Sequence, residues 1–477
     1  MSDSGPGWGR SRDGFADDWQ VDQEYANVDV RDEQEEFNLD DESLLPRGFI
    51  EWFVIAQTAI PALLYLPGTQ AIRLPVRVGA YAIALVGFAI WWLGRGGSRS
   101  ERHPAERWLV FIFVYLSLMI FHPLTSGLLA GVAQTVLYLS IFSAVFWAQV
   151  FVKRPRQLVR ILAILLVCNG INSIVGVLQV YNPERFMPSQ LSLGLSRTAL
   201  AAATYAGPDG RPILRPPGLF DTPGAVCGPG TVAALLGLVF AVENFAWWKR
   251  AGALFLAFAG ISAIYLSHVR ANFVVVLAMM VIYAVALLLL NQKTRFTAFV
   301  TLGIGIVVFG LTAATILGGE SIRDRFSTLL GDDPRQLYYT SRGQQIQSSF
   351  DELAGRYPFG AGLARWGMMH GYFGDRTRID STELWAEVQP TAWLLDGGLF
   401  LLGLYSIALI VTALYEWRLM LSLQDREDRR WAATVAAVNI GTMALVFSFV
   451  PFATQVGLQF WFLEGALHGA MMGRLRR

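Results

Sequence analysis

Residues 250–295 read RAGALFLAFAGISAIYLSHVRANFVVVLAMMVIYAVALLLLNQKTR. About 20 apolar residues cross about 30 Å of hydrocarbon as a helix, and this stretch holds two such runs in succession. Only Ser267, His268, Val269 and Arg270 separate them, so the second run must turn straight back through the bilayer. A cation forced to the membrane face by two tightly joined helices is costly unless it faces a polar cavity or snorkels.

Working outward from this pair, apolar stretches recur near 49–67, 78–95, 108–122, 127–151, 158–181, 228–245, 250–267, 271–290, 297–317, 391–414, 431–450 and 456–473. The spacing predicts an all-α polytopic protein of about twelve transmembrane helices in one domain over 47–477. Composition agrees, because 54% hydrophobic and 16% charged residues in a chain of 477 leave too little polar surface to coat a soluble globule. Short connections after spans two, four, six, eight and ten carry the clustered bases, such as Lys153, Arg154 and Arg156, whereas the opposite set carries only Arg73, Arg77 and Arg270. By the positive-inside rule both termini are cytoplasmic and two long loops, about 182–227 and 318–390, face outward.

Residues 1–46 hold 14 Asp and Glu against three Arg with no apolar stripe, the make-up of a disordered acidic tail. The stretch lacks the basic start and short apolar core of a cleaved signal, so the first span is expected to stay as an anchor. Two cysteines, Cys168 and Cys227, are too few for a disulfide framework. No CxxC, HExxH, P-loop or dinucleotide-binding glycine motif is present. Metals, nucleotide cofactors and nucleic acid are therefore not expected.

The outward loops hold twelve arginines and no lysine. A planar guanidinium fork suits phosphate and diphosphate better than a point charge does, although a chain with 35 Arg and three Lys would show this excess in a merely solvated surface too. In the second loop, Ile346, Phe350 and Leu353 follow Arg342 at helical spacing, predicting an amphipathic helix along the membrane surface that Pro358-Phe-Gly-Ala-Gly362 ends.

Four signatures in this order resemble the O-antigen ligase and O-antigen polymerase superfamily of bacterial polysaccharide-assembly membrane proteins. They are Arg215-Pro-Pro-Gly-Leu-Phe-Asp221, with Asp where the family more often has Asn; Ser267-His-Val-Arg270; Arg342 with its helix and Pro358–Gly362; and Asp396-Gly-Gly-Leu-Phe-Leu-Leu-Gly403. The resemblance covers roughly residues 50–473 and implies an inner-membrane, cell-envelope glycosyltransferase. Its donor would be a glycan on polyprenyl diphosphate, and its acceptor a hydroxyl of a second glycan or glycolipid. The resemblance also implies inversion without metal or cofactor, and company with other polysaccharide-export proteins. Arg215, Arg270 and Arg342 are the expected diphosphate ligands, with Asp221 and Arg365 nearby. Ligases to lipid A core carry a histidine about eleven residues before the glycine pair. Here that position is Glu387, and no histidine lies in 371–390. This departure favours a polymerase or a divergent ligase, with Glu387, or Glu383 or Asp380, as the base that takes the acceptor proton. The aromatics Tyr338, Tyr339, Trp366, Tyr372 and Trp385 suit sugar stacking or an interfacial belt. His103, His122 and His468 receive no role; His370 is left open.

Two other classes fit parts of the chain. A small-anion carrier would use polar groups within spans, for which Asn169, Asn172 and Glu464 are the candidates. A non-catalytic scaffold of an export complex would use the acidic tail.

Overall fold

A computed structural model describes residues 48–66, 68–94, 102–187, 200–201, 203–207, 210–331, 333–375 and 384–475. The acidic tail, Asp380 and Glu383 lie outside the described residues. Besides shorter or irregular helices within the loops, the helices are α1 (Phe49–Ala62), α2 (Arg73–Leu93), α3 (Glu106–Met119), α4 (Leu128–Phe151), α5 (Pro155–Tyr181), α6 (Cys227–Val242), α7 (Trp247–Leu266), α8 (Arg270–Leu289), α9 (Lys293–Gly318), α10 (Glu320–Gly331), α11 (Gln389–Ser422), α12 (Arg426–Phe447) and α13 (Gln455–Leu475).

Among the described residues, eight of these, α2, α4, α5, α7, α8, α9, α11 and α12, are long and apolar enough to cross a membrane. Of the remaining expected spans, α1, α3 and α6 are 14, 14 and 16 residues long, and α13 has the length but carries Gln459, Glu464 and His468. Large apolar side chains such as Ile304, Phe309 and Ile316 on α9 and Leu93 on α2 are exposed along the outside of the bundle, where acyl chains solvate them and water would not. The protein is thus all-α with the make-up of a polytopic membrane protein.

Its connections gather at two ends. At one end, Asp221 pairs with Arg73 and Arg77, both at 2.7 Å, Ser321 Oγ donates to Ala206 O at 2.8 Å, and the Leu363 N–H donates to Thr125 Oγ1 at 3.1 Å. These bonds join the two long loops to the α1–α2 and α3–α4 connections. At the other end, Glu243 accepts from Arg430 at 2.9 and 3.2 Å and faces Arg295 at 3.3 Å. The Asp221 pairs also explain why α2 starts at Arg73, five residues before the expected 78: the charges of its first turns are neutralised from the first loop.

Two local features depart from the expected pattern. The first loop contains a small antiparallel hairpin, β1 (Thr204–Ala206) with β2 (Pro212–Leu214), pairing Tyr205 with Ile213. Helix α11 is broken at Gly397 and Gly398. Gly398 takes φ +64°, and a Cβ there would meet Phe359 and Gly360 backbone at 2.6 Å. The turn at Pro358–Gly362 fits into the break: Leu399 N–H donates to Pro358 O at 3.0 Å and Ala361 N–H to Leu395 O at 2.7 Å. Backbone groups freed inside a membrane protein must be satisfied by protein, and the second loop does so here.

Candidate functional site

The first loop is held by α5. Gln179 Nε2 donates to Gly218 O at 2.8 Å, the Gly218 N–H donates back to Gln179 Oε1 at 2.9 Å, and the Leu219 N–H donates to Asn172 Oδ1 at 3.0 Å. Asn172, which a carrier would use for solute, is thereby occupied as a loop anchor. Two residues of the adjoining backbone fix Arg215: its N–H donates to Ala203 O at 2.8 Å and its carbonyl accepts from Gly224 at 3.2 Å.

Opposite Arg215 lies the α7–α8 corner. Ser267 Oγ donates to Ile264 O at 2.7 Å and accepts from Val269 N–H at 3.3 Å, and His268 turns the chain with φ +59°. Arg270 then opens α8, where the helix N-terminus adds positive potential. The Tyr205 ring, carried by β1, lies over His268 with centroids 4.0 Å apart.

Arg325 on α10 completes the cluster, and sequence reading missed it. Burial lowers its pKa, with Arg270 and Arg215 adding to the effect. Burial likewise lowers that of Arg215, and pushes His268 down to about 3 with help from Arg215 and Arg325. Basic groups from the first loop, the α7–α8 corner and the second loop therefore face one another. Guanidinium groups gathered in this way suit a multivalent anion.

A second constellation surrounds Arg342. The expected helix is continuous from Pro334 to Arg356, with π-helical turns at Tyr339–Gly343 and Ser349–Leu353, a distortion frequent at functional sites. One face docks on the segment before α11. Arg342 pairs with Glu387, Gln345 accepts from the Glu387 N–H at 3.0 Å, and Ser349 Oγ lies 2.6 Å from Thr391 Oγ1. Arg342 Nε also donates to Ser448 O at 3.1 Å. Arg342 and Glu387, expected to serve donor and acceptor separately, are partners.

The other expected residues divide. Asp221 is the counter-ion of Arg73 and Arg77. Arg365 is buried, donates to Ala361 O at 3.3 Å and acts on His122. Trp366 is buried and donates to Asp396 Oδ1 at 3.0 Å, beside Tyr138 at 2.8 Å and Gln134 at 3.1 Å on the other oxygen. It packs with Ala361, Ala392 and Leu395 and so is lost as a sugar platform. Trp385 stays 70% exposed, two residues from Glu387. His370 is buried, its Nδ1 3.0 Å from Ala364 O and 3.3 Å from Ser126 Oγ, and joins the second loop to the α3–α4 connection.

A scan against protein-family models and a search of curated proteins give no match to the chain.

Proposed function

We propose that this chain is a polysaccharide polymerase or ligase of the O-antigen kind in a bacterial plasma membrane. It transfers a glycan from polyprenyl diphosphate to an acceptor sugar hydroxyl on the extracytoplasmic face. In this reading the chain crosses the membrane about twelve times, both termini are cytoplasmic, and the end that carries the long loops faces outward.

The observation that carries the reading is the convergence of Arg215, Arg270 and Arg325 around His268. A diphosphate gains charge as the glycosidic bond to it breaks, and fixed donors aimed at that charge lower the barrier. The neutral His268 and the Tyr205 ring hold the corner without adding charge. Glu387, oriented by Arg342, takes the acceptor proton, and the exposed Trp385 offers a face for the acceptor sugar. The donor supplies the activation through its diphosphate bond.

The test compares lipid-linked glycans, by gel and mass spectrometry, among wild type, a deletion, and Arg215→Ala, Arg270→Ala and Arg325→Ala at matched protein level. Single repeat units on polyprenyl diphosphate accumulating in every mutant support polymerisation. Full-length lipid-linked glycan that is no longer transferred supports ligation. Unchanged glycans with altered solute uptake would remove the transferase reading.

A further inference from the structure

At a distance along α11 from the loop-binding break, Glu416 meets Glu464 of α13 in the bundle core. Asn439 of α12 donates through one nitrogen to both, at 2.8 Å to Glu416 Oε1 and 2.7 Å to Glu464 Oε1. All three residues are at most 1% exposed. The two carboxyl groups stand within hydrogen-bonding reach of one another, with Asn439 bonded to both.

Proton counting shows what this arrangement lacks. The amide nitrogen has two hydrogens and spends one on each Oε1, while Glu416 Oε2, Glu464 Oε2 and Asn439 Oδ1 are buried acceptors with no hydrogen-bond donor. Among the described residues, no positive group acts on either carboxyl. His103, in the segment before α3, accepts the Ala105 N–H on Nδ1 at 3.2 Å and brings Nε2 to 3.3 Å from Glu464 Oε2 without making a hydrogen bond to it. Burial pushes its pKa down to about 3. His468 on α13 shares Nδ1 with the Tyr415 hydroxyl at 2.6 Å. Beyond His103 lie Gln149 of α4, which accepts the His103 N–H at 3.3 Å, and Glu106, to which Gln149 donates.

Two carboxylates this close in a dry core cannot both stay charged without a cation. We propose that Glu416 and Glu464 are an intramembrane proton site, one proton bridging their Oε2 atoms and joining α11 to α13 over Asn439. A shared proton turns two orphaned acceptors into a donor and an acceptor, which is the deficit the geometry leaves.

Infrared spectroscopy of the full chain in lipid nanodiscs, at pH 7 in sodium-free buffer, tests this directly. The expected result is a carbonyl stretch from a protonated carboxyl group that shifts in protein labelled with ¹³C-glutamate and is lost in Glu416→Gln and Glu464→Gln. The isotope arm needs no variant, so it remains decisive if either substitution prevents folding. Absence of a glutamate-derived band in wild type overturns the proposal, as does its persistence in both folded variants. A band that appears only without sodium and vanishes when sodium chloride replaces choline chloride at the same concentration and pH assigns the site to a metal cation instead, and also overturns it.

Discussion

Arg342 and Glu387 lie on separate elements 45 residues apart and form an ion pair in which both side chains remain about one-third exposed. An exposed pair contributes little to stability, so its place at the end of a π-helical turn speaks for orientation of the carboxylate rather than for folding.

A double-mutant cycle tests whether the pair acts as a unit. Glu387→Gln should lower glycan transfer by roughly 10²-fold or more, the usual scale for loss of a general base. Arg342→Ala should lower it by a smaller factor with little change in melting temperature. The double variant should be no worse than Glu387→Gln, because the arginine acts through the carboxylate. Multiplying effects would show independent roles.

The arginine cluster makes a prediction about anions. Inorganic diphosphate at millimolar concentration should raise the melting temperature of the detergent-solubilised protein, since a ligand bound only by the folded state stabilises it by mass action. Arg325→Ala should abolish the shift, and Arg325→Lys should recover only part of it, because a point charge cannot replace a fork. Equal shifts in wild type and Arg325→Ala would detach Arg325 from the site.

His268 predicts a pH dependence of stability. Its ring titrates near 6.5 in the unfolded chain and near 3 in the folded one. The unfolded state therefore binds a proton that the folded state refuses, and stability falls as pH drops from about 6.5 toward about 3. His268→Gln should flatten that part of the stability profile while leaving the region above pH 7 unchanged. Transfer activity should show no step near pH 6.5 attributable to this residue.

Much of the scaffold was legible because apolar run length is a strong signal. The paired runs at 250–290 became α7 and α8 nearly to the residue, and Pro358–Gly362 became a turn. What pairs with that turn was not legible, since nothing in Asp396-Gly-Gly says that Gly398 must leave the helix to receive Pro358 O. Likewise Asn172 and Gln179 look like ordinary span amides until Leu219 meets the one and Gly218, 39 residues on, the other. The polar stripe Arg342, Gln345, Ser349 was present in the sequence at helical spacing, directly beside the apolar stripe that was noticed. Arg325 carried no distinguishing signal among the loop arginines, because only α10 packing places it beside Arg270.

Two glycines in α11 separate the break from ordinary helix. Gly398 at φ +64° and ψ −160° occupies a region essentially closed to other residues, and an added Cβ would strike the Pro358–Gly360 backbone. Gly403 is in regular helix, and a Cβ there would meet nothing within 4 Å. Gly398→Ala should thus cost about 1–3 kcal/mol in backbone strain alone, relieved by straightening the helix and expelling the turn. Hydrogen exchange at Ala361 and Leu399 should accelerate, because their donors serve the docking. Exchange in the half of α11 beyond Leu404 should stay as it was. Transfer should fall at least tenfold, since the same displaced segment positions Arg365 and leads to Glu387. Gly403→Ala should leave exchange and transfer at wild-type levels and hold or slightly raise the melting temperature, as Ala replaces Gly in a helix interior. Similar losses from both substitutions would mean that α11 needs flexibility along its length and that the break has no special part in holding the loop.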